Sequence, residues 1–196
     1  MKKLLLMLSI SILVLAGCGT GGKFAAQTNW EIQDFTYENQ RGESVSLEDL
    51  KGTVWLATFI FTNCETVCPP MTFNMSDIQQ MLDEKGVEDY KIVEFSVDPE
   101  VDTPEKLQEY LENYDVIDES KWELLTGYTQ EDISKFAEKS FKTLVKDDPN
   151  SNQVIHGVSF YLVDQNGVVV KNYNGAQDVP KEEIVIDVET LIEDGK

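Results

Sequence analysis

Residues 53–69 read TVWLATFIFTNCETVCP. The first nine are nearly all apolar or β-branched, which predicts a central strand that is buried on both faces of a sheet. Cys64 and Cys68 follow this strand directly, and a helix is predicted from about Pro69. Residues four apart on one helical turn have Cα atoms about 6 Å apart, within the range of roughly 4.4–6.8 Å that a disulfide tolerates. The pair is therefore interpreted as a metal clamp, a redox switch, or both.

The helix after the cysteines, predicted over residues 69–82, repeats its apolar residues at helical spacing. Thioether sulfur is a soft metal ligand, but this spacing favours packing in the core over metal binding. The residues on this face are Met71, Met75, Ile78, Met81 and Leu82. Three aromatic residues are assigned to packing as well: Tyr110, Trp122 and Tyr128.

The remaining pattern alternates strands and helices and ends in a hairpin and a helix. Further strands are predicted over residues 30–37, 90–97 and 122–125, and helices are predicted to open at Ser46, Thr103, Thr129 and Pro180. A turn signal, DQNG at residues 164–167, lies between two β-prone runs and predicts a hairpin. This order predicts an α/β protein with a thioredoxin-like sandwich. Its central mixed sheet would be flanked by helices, with an N-terminal β extension and an insertion around residues 98–125.

The chain has one histidine, His156, far from the cysteines in sequence. In the predicted sheet, the cysteines emerge at the carboxyl end of a central strand. The first strand of the antiparallel hairpin begins beside that same edge, and His156 directly precedes it. The fold can therefore bring one imidazole to two thiols. Two thiolates and an imidazole form a plausible three-ligand site for a soft metal such as copper.

The N-terminus carries the pattern of an export signal. Two lysines follow Met1, and thirteen apolar or small residues then run from Leu4 to Ala16. That is fewer than the roughly 20 residues a membrane span needs, so residues 1–17 are predicted to be a signal peptide. The tetrapeptide LAGC, residues 15–18, resembles the bacterial lipobox, in which the signal is cut before a cysteine that becomes lipidated. An ordinary signal peptide with an incidental Cys18 is the alternative.

Lipidation of Cys18 would set both the location and the thiol content of the mature protein. Residues 18–28 are predicted to be a lipid-anchored tether, and residues 29–196 one thioredoxin-like domain. The protein would then be anchored to the bacterial cell membrane on its extracytoplasmic face. Cys64 and Cys68 would be the only free thiols, an even pair in an oxidising compartment.

The composition is strongly acidic, with a formal charge of −20. Removing residues 1–17 takes away Lys2 and Lys3 but no acidic residue, which gives −22. This charge argues against nucleic acid as a partner and against electrostatic binding to anionic lipid. Solubility is the favoured explanation of the acidity, and a docking face for a basic partner is the alternative. We expect a monomer.

Three blocks of this sequence resemble the SCO family, the lipid- or membrane-anchored copper proteins of cytochrome c oxidase assembly. The blocks are FTNCETVCP at residues 61–69, SVDPEVDTP at 96–104 and HGVSFYLVD at 156–164. Their order and spacing cover about 100 residues, and the fold pattern extends the likeness from roughly residue 30 to the C-terminus. The spacer at residues 65–67 departs from the commoner Pro-Asp-x of the family, which leaves the ligands unchanged but alters the charge near the site.

The resemblance implies that Cys64, Cys68 and His156 bind copper, as Cu(I), Cu(II) or both. Asp98 matches a family aspartate near the site, where a carboxylate could orient His156 or tune a thiol. The implied client is the binuclear copper site of cytochrome c oxidase subunit II. The protein would deliver copper to this client, reduce the client's cysteines, or do both, which makes a thiol reductant or another copper donor a further expected partner.

Three other functions compete with copper delivery. The first is a metal-independent thiol–disulfide oxidoreductase, which an exposed dithiol on this fold supports. Against it, dedicated oxidoreductases use Cys-x2-Cys, and His156 would have no clear role. The second is a thiol peroxidase, which would hold its thiolate with an arginine, and the chain offers only Arg41. The third is a zinc site, although zinc normally takes a fourth ligand that this chain lacks.

Overall fold

The structure, a computed structural model, describes residues 23–195 of the chain. Ten strands occur in this range: β1 Trp30–Glu31, β2 Thr36–Asn39, β3 Ser44–Ser46, β4 Val54–Ile60, β5 Tyr90–Ser96, β6 Trp122–Thr126, β7 Val145–Asp147, β8 Val154–His156, β9 Ser159–Val163 and β10 Val168–Asn174. The same range contains five α-helices: α1 Leu47–Leu50, α2 Cys68–Glu84, α3 Pro104–Leu111, α4 Gln130–Phe136 and α5 Lys181–Asp194. A π-helical turn, Ala137–Phe141, continues α4.

Strand β4 lies in the interior of the main sheet, as its composition predicts. The order across this sheet is β1-β10-β9-β4-β5-β6-β2-β3. Strands β4, β5 and β6 are parallel, while β9 runs antiparallel to β4 and β10 antiparallel to β9. All seven residues of β4 are buried, because helices or loops cover both faces of this strand. The mixed sheet flanked by helices confirms the predicted α/β thioredoxin-like fold.

Helix α2 packs the apolar face that its spacing predicts. Met71, Met75, Ile78 and Leu82 are completely buried, and Met81 is half-buried at the edge of the core. The methionines therefore fill the core, as expected from their period. Helix α5 packs beside α2 and also contacts β4.

The prediction of one strand over residues 30–37 is wrong. The segment contains two separate strands, with β1 beside β10 at one edge of the sheet and β2 beside β6 near the other. Between them, Ile32 and Phe35 are both buried. Two core residues spaced three apart break the alternation that one strand needs, so the chain crosses a face of the sheet instead.

Part of the segment predicted as a tether lies against the domain. The backbone N–H of Phe24 donates to Asp194 Oδ2 at 2.6 Å, and Thr28 Oγ1 donates to the Val169 carbonyl at 2.6 Å. The predicted signal peptide and Cys18 lie outside the described residues. Among residues 23–195, none of the helices has the length and apolar character needed to cross a membrane.

The hairpin formed by β7 and β8 was not predicted. Its two strands have three residues each, and most of them are exposed or half-buried, so neither run carries a strong alternating pattern. Pro149 and Asn150 between the runs were the available turn signal. The hairpin matters for the site because Val145 pairs with His156 across it.

The segment predicted as an insertion, around residues 98–125, contains α3, which forms the crossover from β5 to the parallel strand β6.

Candidate metal centre

The two cysteines lie on the turn between β4 and α2. Cys68 is the first residue of α2, whereas Cys64 lies in the preceding turn and not on the helix. The Cys68 backbone N–H donates to Cys64 Sγ at 3.3 Å, so this sulfur caps the open N-terminus of the helix. Pro69 and Pro70 follow, and since proline has no N–H they offer the sulfur no competing donor. Both cysteines are free thiols.

His156 is the last residue of β8 and reaches the thiols as the order of strands predicts. Its Nε2 lies 3.4 Å from Cys68 Sγ, and its Nδ1 lies 2.8 Å from the Gly157 carbonyl oxygen. A carbonyl oxygen can only accept, so Nδ1 carries the ring proton and donates it. Nε2 then keeps its lone pair free on the side of the sulfurs. The Phe61 ring contacts the imidazole edge-on, with centroids 5.8 Å apart, and helps fix its orientation.

The three donor atoms form a small triangle with room for one ion. The Sγ atoms of Cys64 and Cys68 and a ring nitrogen of His156 all lie within 4.8 Å of one another. A trigonal ion with metal–sulfur bonds of about 2.3 Å needs edges of roughly 4 Å. The thiols are buried and the imidazole is half-buried, so an ion here would be shielded yet reachable from the histidine side. Soft sulfur with imidazole suits copper or zinc and not a hard oxygen-seeking cation.

The two thiols differ in acidity. A hydrogen bond from the Cys68 side chain holds the pKa of Cys64 at about 3 against the opposing effect of burial, with further help from the backbone N–H groups of Cys68 and Thr66. Burial, followed by the neighbouring Cys64, raises the pKa of Cys68 well above its ordinary value. At neutral pH the pair therefore holds one thiolate and one thiol. A metal that binds both sulfurs must displace the Cys68 proton.

Asp102 fixes the loop that carries Cys64, although the sequence pattern did not single it out. It is completely buried and accepts hydrogen bonds from the Thr62 backbone N–H, at 3.2 Å, and from the Thr62 hydroxyl, at 2.5 Å. The Ser96 hydroxyl donates to the same carboxylate at 2.6 Å. Asp102 thus ties the end of β5, at Ser96, to the residue just after β4, Thr62, which lies two residues before Cys64. The available signal was an aspartate shortly after a predicted strand, and it was read only as part of the family block.

Replacing Asp102 with alanine should lower the free energy of unfolding by about 2–4 kcal/mol, because it leaves the buried donors of Thr62 and Ser96 without an acceptor. Urea denaturation measures this loss. Asp132 is the matched control, because it accepts similar hydrogen bonds from Thr129 on an exposed helix end. Asp132→Ala should cost no more than about 1 kcal/mol. Equal losses for the two variants would contradict the role of Asp102.

The structure gives His156 an orienting partner other than Asp98. That partner is the Gly157 carbonyl, described above. Asp98 instead lines a cavity of about 260 Å³ together with Glu100, Asp147, Ser151, Gln153 and Val154. Burial, and then the nearby charge of Asp102, raises the pKa of Asp98. Its predicted influence on the metal site stays a prediction. Gln153 in the same cavity wall donates to the Asn63 carbonyl at 3.2 Å and so links the β7–β8 hairpin to the cysteine loop.

A buried acid, Glu94, lies in the core beneath α2 and was also missed by sequence reasoning. It is completely buried on β5, and within residues 23–195 its Oε2 atom has no hydrogen-bond partner. Thr72 Oγ1 donates to its other oxygen at 3.5 Å. Burial raises the pKa of Glu94 to about 8, and the Thr72 hydrogen bond acts in the opposite direction. The acid is therefore mostly protonated at neutral pH.

We expect Glu94→Gln to change how stability depends on pH. Because the pKa of Glu94 is raised in the folded state, folding takes up a proton between its ordinary pKa of about 4.5 and about 8. The stability associated with the neutral acid is complete below this window and is lost as the pH rises through it, by up to about 5 kcal/mol. The difference in unfolding free energy between the two proteins should therefore shift in favour of Glu94→Gln from pH 5 to pH 8.5. A difference in unfolding free energy between the two proteins that stays constant from pH 5 to pH 8.5 would contradict this.

The architecture and the site together define a class: thioredoxin-like proteins with two thiols and one imidazole at the end of a central strand. The family model SCO1/SenC matches residues 25–193. The chain belongs to the SCO1/SenC family. A relative from Bacillus subtilis (strain 168), the SCO1 protein homolog, is 49% identical over 178 residues, which cover 91% of each chain.

Solved structures agree with this assignment. A SCO1/SenC family lipoprotein from Bacillus anthracis str. Ames is 47% identical, with a TM-score of 0.81 over 85% of this chain and 99% of that one. BsSco, a member of the Sco family of cytochrome c oxidase assembly proteins in which a disulfide switch was identified, is 50% identical, with a TM-score of 0.77 over 84% and 95% of the two chains. ScoI of Bradyrhizobium japonicum with copper bound is 28% identical, with a TM-score of 0.70 over 82% and 99%.

Proposed function

We propose that this protein binds copper through Cys64, Cys68 and His156 and serves the assembly of cytochrome c oxidase. The observation that carries the proposal is the convergence of the three donors, with Cys68 Sγ and His156 Nε2 3.4 Å apart and both thiols free. The donor set fits copper by its softness. Copper bound in the Bradyrhizobium japonicum relative and the assembly role stated for BsSco support the same function.

The redox state of the cysteine pair is the natural control on copper. As thiolates the two sulfurs can hold Cu(I) in a trigonal site with His156, and Cu(II) would take a further oxygen ligand. As a disulfide the pair would offer neither sulfur as a thiolate. The client we propose is the binuclear copper site of cytochrome c oxidase subunit II. The protein would deliver copper to that site, or reduce its cysteines so that they accept copper.

A gene deletion separates these two tasks. We expect the deletion strain to lose cytochrome c oxidase activity and copper from subunit II. Restoration by added copper identifies delivery as the task, and restoration only by a thiol reductant identifies reduction of the client. A deletion strain with normal oxidase activity and a copper-loaded subunit II would contradict the proposal.

A metal-independent thiol–disulfide oxidoreductase is the second candidate, favoured by the acidic thiol of Cys64 beside the proton-bearing Cys68. Such an enzyme has no use for the imidazole that lies against the pair.

The structure argues against the thiol peroxidase alternative, which needs an arginine beside the thiolate. Arg41 forms ion pairs with Glu43 and Glu123 instead, and Glu123 lies on β6, two strands away from β4, the strand that leads to the thiols.

Anchoring at the extracytoplasmic face of the cell membrane, through lipid on Cys18, remains part of the proposal. The lipoprotein character of the Bacillus anthracis relative supports it.

A further inference from the structure

Gly157 occupies a position that has no room for a side chain. It follows His156 directly, between β8 and β9. A methyl group on its Cα would lie less than 3.0 Å from Thr143 Oγ1, 3.5 Å from Thr143 Cβ and 3.7 Å from the Tyr161 hydroxyl oxygen. The φ angle of Gly157 lies outside the left-handed region that favours glycine. Lack of space, and not backbone freedom, therefore accounts for the glycine.

Thr143, the residue that fills this space, is held from the core side. It lies between the π-helical turn Ala137–Phe141 and strand β7, and its backbone N–H donates to the Ala137 carbonyl at 3.3 Å. Its side chain forms a hydrogen bond with the Tyr161 hydroxyl, and the Tyr161 ring packs on Phe141 with centroids 5.0 Å apart. Rotating the Thr143 side chain away from Gly157 would move its oxygen out of this hydrogen bond. Thr143 is therefore a firm stop against the Gly157 backbone.

The Gly157 backbone in turn supplies the acceptor that orients the imidazole. The Gly157 carbonyl oxygen lies 2.8 Å from His156 Nδ1, so the direction of this carbonyl decides which ring nitrogen carries the proton. With Nδ1–H engaged, Nε2 faces Cys68 Sγ at 3.4 Å. A side chain at residue 157 would push the backbone away from Thr143 and turn the carbonyl. The ring would then lose the hydrogen bond that keeps Nε2 directed at the sulfur.

We propose that Thr143 and Gly157 are positioning residues of the metal centre. The close approach of Thr143 to Gly157 sets the carbonyl that holds the His156 imidazole with Nε2 toward the sulfurs. The inference rests on the copper binding in the proposed function. Loss of a partner that orients a histidine ligand lowers metal affinity by about 10–100-fold. Gly157→Ala should therefore weaken copper binding by about 10–100-fold, although all three donor side chains remain in the chain.

Thr143→Ala tests the contact itself, because it removes the oxygen that blocks a side chain at residue 157. Alone, it keeps Gly157 and its carbonyl and should bind copper nearly as tightly as the unaltered protein. Combined with Gly157→Ala, it should recover most of the lost affinity, since the new methyl group takes the place of the hydroxyl. Chelator competition under anaerobic conditions, with the reduced full chain carrying Cys18→Ser, measures all four proteins. A Gly157→Ala variant that binds as tightly as the unaltered protein, or a double variant that recovers nothing, overturns the inference.

Nuclear magnetic resonance of the ring nitrogens reads the orientation directly and without copper. His156 is the one histidine of the chain, so in an untagged protein labelled with ¹⁵N the imidazole signals belong to it. At about pH 8, where an ordinary imidazole is neutral, we expect the unaltered reduced protein to show the Nδ1–H tautomer. Gly157→Ala should shift the ring toward the Nε2–H tautomer, and the double variant should shift it back. An unchanged tautomer in Gly157→Ala overturns the inference.

Gly167→Ala is the matched control for a general loss of stability. Gly167 lies in the turn at the other end of β9, with a φ of +80°, and a methyl group there would lie 3.1 Å from a Leu47 methyl carbon. This variant should unfold at lower urea but keep both the tautomer and the copper affinity. If it weakens copper binding as much as Gly157→Ala does, loosening of the fold explains both losses and the inference falls. If the unaltered reduced protein binds no copper tightly, the proposed function falls together with this inference.

Discussion

Replacing His156 with alanine should lower the copper affinity of the reduced protein by more than about 100-fold. The loss of a group that merely orients a ligand costs about 10–100-fold in metal affinity, and a direct ligand should cost more. The variant keeps both sulfurs, but a two-sulfur site leaves the ion open on the side where Nε2 now lies 3.4 Å from Cys68 Sγ. Competition with a coloured chelator of known affinity, under anaerobic conditions, measures the change.

The neighbouring residue supplies the control. Ile155 lies on the same strand β8 with 49% of its surface exposed, so Ile155→Ala perturbs the hairpin without touching the donors. It should bind copper as tightly as the unaltered protein. If His156→Ala also binds as tightly, the imidazole is not a ligand, and the metal-independent oxidoreductase becomes the better account of the cysteine pair.

The part of the fold that positions the site could be predicted because its residues obey simple rules. Strand β4 is apolar throughout because it is buried on both faces, and α2 repeats its methionines at helical spacing. The hairpin of β9 and β10 follows its turn signal. The approach of His156 to the thiols also followed from strand order alone. Because β9 runs antiparallel to β4, the start of β9, just after His156, lies beside the carboxyl end of β4, just before the cysteines.

The unpredicted parts depend on contacts between distant segments. Strands β7 and β8 are too short and too exposed to show a period, and they are fixed by pairing with each other and by Gln153 at the cysteine loop. Asp102 is polar yet completely buried, and its meaning appears only when Thr62 is brought against it. Glu94 interrupts an apolar strand, and its surroundings appear only when Thr72 of α2 and Tyr110 of α3 are brought together beside it.

Oxidation of Cys64 and Cys68 should abolish copper binding at micromolar copper, and a thiol reductant should restore it. A disulfide leaves His156 as the one remaining donor of the triangle. If each lost sulfur costs at least about 100-fold, the scale reached even by outer partners of ligands, the two together cost about 10,000-fold. The two sulfurs lie close enough to approach each other and bond, since the Sγ atoms are within 4.8 Å of one another and Cys64 Sγ lies 3.3 Å from the Cys68 backbone nitrogen.

The Cys18→Ser variant isolates this effect, because it leaves Cys64 and Cys68 as the two thiols of the chain. Its oxidised form should show no free thiol and no tight copper binding. Its reduced form should show two free thiols before copper is added and should then bind one copper. Tight binding by the fully oxidised protein would mean that copper is held without thiolates, which the donor set of the site does not allow. Disulfide formation would then not release the copper, and transfer of copper to a client would need a competing ligand instead.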